Sequence, residues 1–291
     1  MLTLAVATRA ETFERMADPL AERGIAVSHL PVDERVHPLV EPVIDPDDYD
    51  VGFVHPSRLY EGEAVSALAD LEWLNDREAI LTSRNKAGVL ARCARAGLSV
   101  PETVLVSTPA DREDVLAAFD SLEPPVVVKP NSTTRGVGIA KAHDRDSLAG
   151  IVDYLELVHD YRATGDRSYL LQEYLPEARD YRVMTLEGEY VGAVERHLPE
   201  EAREAGRWKH NVHRGATATA VDLPVELREL AEAVARELSI PLLGVDLLVS
   251  GDRAVVSETN ARPTIDDAAK YEDGFYDRLA EAIRTRAPVE E

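Results

Sequence analysis

The segment 126–139 constrains the fold of this chain more than any other. Three valines starting at Val126 form an apolar strand pattern, and Lys129 follows them directly. A charged ammonium group beside a buried strand is costly unless an anion meets it. Farther along, Gly136 and Gly138 let backbone N–H groups approach an anion closely. The segment therefore predicts a phosphate-binding loop, with an ordinary hairpin turn as the alternative.

This loop matches neither of two common nucleotide-binding motifs. No glycine in the chain is followed by lysine, as a P-loop requires. The glycine pair is followed by Ile, Ala and Lys, whereas a dinucleotide-binding fingerprint needs a third glycine. Three hydroxyl donors, Ser132, Thr133 and Thr134, precede the glycines. Together with Lys129 they are the candidate phosphate contacts.

Oxygen ligands cluster in the last predicted hairpin, whose strands are 245–249 and 254–260. Residues two apart on a strand share a face, so Glu258 and Asn260 point the same way, and Asp246 can lie opposite them. Carboxylate and amide oxygens suit Mg²⁺, with Mn²⁺ as an alternative ion, and phosphates supply further ligands. Asp246 interrupts an apolar run. That position favours a metal site over the alternative of edge-strand carboxylates that face solvent.

A basic loop at 207–214 stands out in this acidic chain. It carries three formal positive charges, two histidines and no acid, against a net charge of −22 for the whole chain. The local reversal of sign predicts contact with a polyanion or an acyl phosphate. Arg182 and Arg196, on the preceding hairpin, can join the loop around a transferring phosphoryl group. His210 and His213 lack a third ligand nearby, so we expect hydrogen-bond donors rather than a zinc site.

The charge balance excludes several function classes. The chain has 54 acidic and 32 basic residues, and only five of the basic residues are lysine. Without a basic stripe, no nucleic-acid partner is expected, and without a long apolar run, no membrane partner. A diffuse acidic surface predicts adaptation to high salt, with an ordinary acidic protein as the alternative. The single cysteine, Cys93, favours a cytoplasmic location, and homo-oligomerisation is left open.

The pattern of helices and strands predicts three units. Residues 1–82 alternate between strand and helix patterns, which indicates a small parallel α/β domain. Residues 83–172 form a central lobe around Lys129, and residues 173–291 form a C-terminal lobe with the metal site.

Three local predictions flank the candidate site. We expect a helix at 63–74, and a second helix that Ser83 caps and that ends at Ala96. The polar stretch 198–215 is expected to be a loop.

Seven short motifs follow one another between residues 83 and 265. They are Asn85-Lys86, Val127-Val128-Lys129-Pro130 with Gly136-Val137-Gly138, Gln172-Glu173-Tyr174-Leu175, Asp180-Tyr181-Arg182, Asn211-Val212-His213-Arg214-Gly215, Gly244-Val245-Asp246 and Glu258-Thr259-Asn260. Their order, rather than any single motif, resembles the ATP-grasp superfamily, and most closely its RimK-type branch of glutamate-adding carboxylate–amine ligases. The resemblance implies an α/β chain with α+β lobes: an ATP-grasp fold with a small parallel α/β domain at the N-terminus and ATP bound between two lobes.

The resemblance implies how ATP is bound. Two lysines should contact the phosphates, and the 131–138 loop should close over them. Backbone groups of residues 173–175 should hold the adenine, with Glu173 or Asp180 on the ribose. Lys209 and Asn211 are similar to contacts on the triphosphate and metal side. The implied ATP-binding set is Lys86, Lys129, Ser132, Thr133, Gly136, Gly138, Glu173, Tyr174, Leu175, Asp180, Lys209 and Asn211.

The resemblance also implies the chemistry. Asp246, Glu258 and Asn260 should hold one or two Mg²⁺ ions. Arg196 and Arg214 should steady the acyl phosphate and the oxyanion, with Arg182 beside them. The reaction is phosphoryl transfer from ATP to a carboxylate, followed by attack of an amine and release of phosphate. The amine would be glutamate or another amino acid, added to a small molecule, a peptide or a carrier protein.

Two other functions and one departure from the family pattern remain open. An ATP-grasp kinase would stop at a phosphorylated product, and a non-catalytic module would bind ATP without turnover. RimK-type ligases follow their Glu-x-Asn motif with small residues and a glycine, whereas this chain continues with Ala261-Arg262-Pro263-Thr264. Arg262 either binds a substrate carboxylate or pairs with Asp266 or Asp267. This departure leaves the identity of the acceptor open.

Overall fold

The computed structural model describes residues 1–8, 11–40, 44–133, 136–158, 166–209 and 215–288. Within these ranges the strands form one parallel and two antiparallel sheets. Cys93 is fully buried in the largest apolar cluster, as a small core residue. Among the residues that the structure describes, no helix is long and apolar enough to cross a membrane.

The first sheet is parallel, with strand order β2-β1-β3-β4. Its strands are apolar because helices cover both faces of a parallel sheet, and all four residues of the third strand are buried. The elements are β1 (Leu2–Val6), α1 (Glu11–Ala21), β2 (Ile25–His29), a 3₁₀ helix (Pro46–Asp48), β3 (Val51–Val54), α2 (Leu59–Ala69) and β4 (Trp73–Asn75).

The second sheet is antiparallel, with strand order β5-β8-β6-β7. Two helices, α3 (Arg77–Arg84) and α4 (Lys86–Arg95), precede it and pack on the last strand of the third sheet. Its own elements are β5 (Thr103–Val106), α5 (Arg112–Asp120), β6 (Val126–Pro130), β7 (Ala140–Ala142), α6 (Arg145–Val158) and β8 (Tyr169–Glu173).

The third sheet is antiparallel, with strand order β11-β10-β9-β12-β13. Helix α8 packs on its three central strands and buries an apolar stripe there. The elements are β9 (Arg179–Leu186), β10 (Glu189–His197), α7 (Glu200–Glu204), β11 (Thr217–Ala220), α8 (Val225–Leu238), β12 (Leu242–Ser250), β13 (Arg253–Asn260), a 3₁₀ helix (Ala268–Lys270) and α9 (Phe275–Arg284).

One buried amide connects the first sheet to the third. Asn75 ends β4 and is fully buried. Its Nδ2 donates to the carbonyl oxygens of Leu242 at 2.6 Å and Ala261 at 2.7 Å, and its Oδ1 accepts from the Leu242 N–H at 3.0 Å. The side chain thereby satisfies backbone groups at the start of β12 and just beyond β13. The carboxyl edge of the first sheet therefore faces the end of β13, where Glu258 and Asn260 lie.

Two of the local helix predictions are wrong in their bounds. The 63–74 segment is not one helix, because α2 ends at Ala69 and Trp73 pairs with Gly52 as part of β4. Ser83 lies inside α3 and is not a cap. Asn85 caps α4 instead, and its Oδ1 accepts from the Gly88 N–H at 2.9 Å.

The polar stretch 198–215 is not wholly a loop. The short helix α7 begins after Pro199, which is its N-cap residue and makes no side-chain cap bond. Two acids in that first turn, Glu200 and Glu201, complement the positive end of the helix dipole.

Candidate functional site

Two buried lysines meet between the second and third sheets. Lys86 opens α4, and its Nζ donates to the carbonyl oxygens of Asn131 at 3.3 Å and Thr133 at 2.5 Å. Lys129, at the end of β6, donates to the carbonyl oxygen of Ser257 on β13 at 3.3 Å. Only 6% of Lys86 and 3% of Lys129 is exposed, so two ammonium groups occupy a largely desolvated cleft.

Burial lowers the pKa of both lysines. It lowers the pKa of Lys129 to about 8, opposed by the carboxylate of Glu258 and assisted by the positive charge of Lys86. It also lowers the pKa of Lys86, against the fields of Glu258 and Asp166. Desolvation disfavours the charged form of an amine, and a bound anion would reverse that effect. This pair is therefore poised to receive an anion.

The loop after β6 is fixed by Asn131. The side-chain Oδ1 accepts from the Ala87 N–H at 2.8 Å, and Nδ2 donates to Asn85 Oδ1 at 3.1 Å. These bonds hold the loop against the start of α4, where Lys86 lies. Ser132, the next residue, is 4% exposed. The side chain that organises this loop was not among the predicted site residues, although an asparagine directly after the strand was visible in the sequence.

The two glycines of this loop take a conformation that other residues rarely adopt. Gly136 has φ +66° and Gly138 has φ +76°. A Cβ added at Gly138 would lie 2.7 Å from Pro130 Cγ, so the loop also needs the absence of a side chain there. Thr133 Oγ1 closes the turn by donating to the carbonyl oxygen of Val137 at 3.0 Å. Residues 134 and 135 lie outside the described residues.

Asp246 is held between two arginines. Arg182 donates from Nε and Nη2 to its two carboxylate oxygens at 2.7 and 2.8 Å. Arg196 Nη2 lies 3.0 Å from Asp246 Oδ2, and its Nε donates to Asp180 at 3.0 Å. Burial alone would raise the pKa of Asp246, but the two guanidinium groups overcome it and hold the pKa well below its usual range. The acid therefore stays ionised and orients both arginines.

The three predicted metal ligands lie on the paired strands β12 and β13. Glu258 is the cross-strand partner of Asp246, and Asn260 is the partner of Gly244. Ser257 has no partner in this register, so a β-bulge separates Glu258 from the rest of β13. Asn260 Oδ1 accepts from the Arg262 N–H at 2.9 Å. The strands thus bring together the three residues that the sequence pattern selects.

The oxygen atoms of these three residues suit Mg²⁺, but the three side chains are not equally available to a cation. Glu258 is half-buried and offers a carboxylate on the face that the two lysines share. Magnesium commonly takes one or two carboxylates and fills its remaining positions with phosphates and water. Both oxygens of Asp246 already contact guanidinium groups, so a cation would share them with two arginines. Over the described ranges, no three acids, histidines or cysteines group as a metal site by themselves.

Glu173, at the end of β8, has its carboxylate engaged. Arg253 donates to its two oxygens at 2.6 and 2.8 Å, and the Glu102 N–H donates to Oε1 at 2.7 Å. Burial alone would raise the pKa of this acid, but the interactions with Arg253 and the Glu102 N–H together outweigh that effect, so the pKa lies below its usual value. The carboxylate anchors β8 to β13. The Glu173 N–H is also engaged, since it donates to the carbonyl oxygen of Glu102 at 2.9 Å, so the backbone of Tyr174 and Leu175 is the part of this segment that remains for a ligand.

An aromatic pair surrounds Lys141 beside this segment. The Nζ of Lys141 lies 3.5 Å from the ring centroid of Tyr174 and 4.5 Å from that of Trp208. The two rings are nearly perpendicular, with centroids 6.0 Å apart. Next to Trp208, Lys209 donates to the carbonyl oxygen of Ile139 in the glycine loop. Sequence reasoning missed Lys141, although one of five lysines directly after a glycine loop was a usable signal.

Arg262 does not pair with the acids that follow it in sequence. Asp266 contacts Arg15 at 3.2 Å and Lys270 at 2.7 Å instead. The Nη1 of Arg262 donates to the carbonyl oxygen of His55, which follows β3. Burial and the nearby charge of Arg84 lower the pKa of Arg262 to about 10. Two further candidates, Asn211 and Arg214, lie outside the described residues, as do His210 and His213.

Comparison with known proteins places this chain among ATP-grasp proteins. The sequence profile of the RimK-like ATP-grasp domain matches residues 83–277. A probable alpha-L-glutamate ligase of Enterobacter sp. is 32% identical over 199 residues, which are 68% of this chain and 62% of that protein. A ribosomal protein bS6–L-glutamate ligase of Escherichia coli is 30% identical over the same shares. The chain therefore aligns with less than two thirds of the length of these relatives.

Solved structures of other proteins superpose on this chain over nearly its whole length. A RimK domain ATP-grasp protein of Sphaerobacter thermophilus superposes with a TM-score of 0.70 at 18% identity, over 99% of this chain and 100% of that chain. A D-alanine–D-alanine ligase of Bacillus anthracis complexed with ATP gives 0.68 at 15% identity, over 98% and 97%. At such identities the likeness shows the fold alone. It confirms the ATP-grasp fold that the ordered motifs predict.

Proposed function

Because this chain belongs to the RimK-like ATP-grasp family, we propose that it is an ATP-dependent ligase that joins a carboxylate to an amine and releases ADP and phosphate. The observation that carries the proposal is that two buried lysines, the glycine loop and an arginine–aspartate cluster lie together around Glu258. The names of the relatives favour L-glutamate as the amine substrate. The acceptor is a small molecule, a peptide or a carrier protein.

We assign the nucleotide to the cleft between the second and third sheets. Lys86 and Lys129 bind the phosphates, because an anion there offsets the desolvation of two ammonium groups. Ser132, Thr133 and the glycine loop cover them. The adenine lies against the backbone of residues 173–175, where Tyr174 and Trp208 supply aromatic surface.

The remaining nucleotide contacts follow the same proposal. Asp180 or Glu173 binds the ribose, and Lys209 and Asn211 contact the triphosphate on the metal side. Glu173 would give up or share its ion pair with Arg253 to do so. Asp180 would share its contact with Arg196. Leu175 lines the adenine side of the cleft.

The arginines act on the reacting groups. A carboxylate oxygen of the substrate attacks the γ-phosphorus, the bond to the β-phosphate oxygen breaks, and ADP leaves with that electron pair. The amine nitrogen then attacks the acyl carbon, a C–N bond forms, and phosphate leaves as the amine proton passes to solvent. Arg182 and Arg196, oriented by Asp246, stabilise the negative charge of both steps, and the family resemblance assigns the same role to Arg214.

A divalent cation completes the proposed site. Glu258 and Asn260, with Asp246 as a shared ligand, would hold Mg²⁺ or Mn²⁺, as one or two ions. When bound, the cation neutralises phosphate charge. The protein itself supplies position and charge, so the mechanism needs no nucleophilic side chain.

Turnover of Mg-ATP tests this proposal. ADP and free phosphate are measured with pooled carboxylates, with and without pooled amino acids, at several KCl concentrations. We expect release that needs both pools, and Lys129→Met should lower it by about 100-fold or more. Lys270→Met is the matched control, because Lys270 pairs with Asp266 outside the cleft. Release that is equal in the two variants contradicts the site.

The same assay separates the two other candidate functions. ADP that accumulates without free phosphate, together with a phosphorylated product, indicates a kinase. ATP that binds without being consumed, in every pool, indicates a non-catalytic module. A kinase and a ligase share the first phosphoryl transfer, so only the fate of the phosphate distinguishes them.

A further inference from the structure

Two guanidinium groups converge on the carboxyl end of β3. Arg84, the last residue of α3, donates from Nη2 to the carbonyl oxygen of Ser57 at 3.1 Å. Arg262, two residues beyond β13, donates to the carbonyl oxygen of His55. The two carbonyl acceptors are only two residues apart in sequence, so backbone groups of one short segment hold two cations from different parts of the chain.

No carboxylate neutralises this pair within the described ranges. Neither arginine forms an ion pair with a described acid, and Nη1 of Arg84 is buried without a hydrogen-bond partner there. Asp33 is the acid whose field reaches Arg262, and its Oδ1 lies 3.3 Å from Nε of Arg58. Nearly all buried side-chain donors have a partner, so an orphan guanidinium N–H points to a missing ligand.

The start of helix α2 adds to the positive potential. Helix α2 begins at Leu59, and its N-cap residue, Arg58, makes no side-chain cap bond. The N–H groups of that first turn lie directly after residues 55–57. A cavity of about 620 Å³ at the carboxyl ends of β1 and β2 is lined by Asp33 and Glu34 and by neither arginine of the pair, so it is not part of this site.

The pair is also next to the reacting centre. Asn260 Oδ1 accepts from the Arg262 N–H, so Arg262 lies next to one of the three predicted metal ligands. On the other side, Ser83 precedes Arg84 and accepts from the Ala261 N–H at 3.0 Å. A carboxylate on Arg84 and Arg262 would therefore belong to a molecule that also reaches the phosphoryl-transfer site.

We propose that Arg84 and Arg262 bind a carboxylate group that does not itself react, so that the enzyme selects a substrate with this additional acid. The proposal rests on the ligase function proposed above. Two guanidinium groups suit a carboxylate because each offers paired donors in a planar fork. The carboxylate belongs either to the amino-acid substrate or to the acceptor, and the experiment distinguishes these two sources.

Binding of matched acids and amides tests this proposal. Isothermal titration calorimetry uses the full chain with Mg²⁺ and a non-hydrolysable ATP analogue. One arm compares L-glutamate with L-glutamine, and the other compares N-acetyl-L-glutamate with N-acetyl-L-glutamine. Each pair differs only by a carboxylate against an amide. We expect the acid to bind at least about tenfold more tightly than its amide in one arm, which identifies the source.

Variants link that preference to the two arginines. Arg84→Gln and Arg262→Gln should each weaken binding of the preferred acid by about tenfold or more and leave the amide nearly unchanged. Arg95→Gln is the matched control, since Arg95 is exposed at the end of α4. Arg84→Lys and Arg262→Lys keep the charge and serve as second variants where a glutamine variant does not fold.

Two outcomes overturn the proposal. One is a wild-type protein with no preference for the acid in either arm. The other is an equal loss for acid and amide in the variants, which means that the arginines only hold the 55–57 segment in place. If the protein turns over ATP but binds the acid and its amide equally well, this inference is overturned and the ligase function stands. Charge-selective binding without turnover removes the ligase function and leaves the carboxylate site.

Discussion

Lys129 shows how burial and charge compete at a single side chain. Burial lowers its pKa to about 8, far below the usual value of 10.5, although Glu258 and Asp246 favour the charged form. A triphosphate beside the ammonium group would raise that pKa again, because an opposite charge stabilises the protonated form. Binding of ATP should therefore be coupled to protonation of this lysine.

We predict that ATP affinity falls as the pH rises through about 8. Below that pH, Lys129 is already protonated in the free protein. Above it, Lys129 must take up a proton when ATP binds, which costs up to about tenfold in affinity per pH unit. Calorimetry of an ATP analogue across this range measures the slope. Lys129→Arg, which stays charged, should bind with little pH dependence. A wild-type profile as flat as that of the arginine variant contradicts this explanation.

Asp246 is a second residue whose neighbours define its role. We predict that Asp246→Asn lowers the free energy of unfolding by about 3 kcal/mol, because Arg182 and Arg196 stay buried without their shared anion. Urea titration followed by circular dichroism measures the loss. Glu173→Gln breaks the more exposed pair with Arg253 and should cost about 1 kcal/mol or less. Equal losses would falsify the assignment of Asp246 as the buried anchor.

At the scale of elements, β4 is short and yet links two sheets. Its last residue, Asn75, bonds to backbone groups at the start of β12 and just beyond β13, the two strands that carry the predicted metal ligands. Three residues of strand cannot fix that geometry by their own ladder bonds. The amide side chain continues the hydrogen bonding where the parallel sheet stops.

We predict that Asn75→Ala lowers the free energy of unfolding by about 2–4 kcal/mol, because three buried backbone groups lose their partner. Asn75→Asp keeps the shape and one acceptor but removes both donors, and it should be at least as destabilising at neutral pH. Thermal and urea unfolding of both variants provide the measurement. A loss below about 1 kcal/mol for Asn75→Ala means that the sheets are connected mainly by other contacts.

Elements with a local signal could be predicted from the sequence, and those that depend on distant partners could not. The strand predicted at 254–260 matches β13 to within one residue, and the strand predicted at 245–249 lies inside β12, because apolar runs and periodicity define both locally. Residues 73 and 74 were wrongly predicted as the end of a helix, since only pairing with β3 makes this segment a strand. Ser83 and Asn85 are both cap types two residues apart, and tertiary contacts of Ser83 decide between them.

The candidate site also contains features that the sequence could predict and features that it could not. Strand periodicity placed Glu258 opposite Asp246, and the β12–β13 register agrees with it. The contact of Asp246 with Arg182 could not be predicted, because it depends on β12 pairing with β9 across 64 positions of sequence. Arg84 carried no local signal at all, since its role depends on a carbonyl 27 positions earlier. The assignment of ligands to these residues stays a prediction.

At the scale of the whole molecule, the net charge of −22 is the dominant feature. Acids outnumber bases by 54 to 32, so most acids at the surface repel one another. We predict that KCl raises the melting temperature by about 5 °C or more between roughly 0.1 and 2 M, because screening removes this repulsion. Differential scanning calorimetry measures it. Sucrose, which does not screen charges, is the comparison. A melting temperature that is insensitive to KCl argues for an ordinary acidic protein.

The transfer of oxygen from substrate to phosphate tests the central claim most directly. Once the pools identify a carboxylate and an amine, the carboxylate is labelled with ¹⁸O and the released phosphate is examined by mass spectrometry. A ligase that forms an acyl phosphate must leave one carboxylate oxygen on the phosphate, and we predict one ¹⁸O atom per turnover. Unlabelled phosphate would mean hydrolysis of ATP by water, and label that remains in a phosphorylated product would mean a kinase.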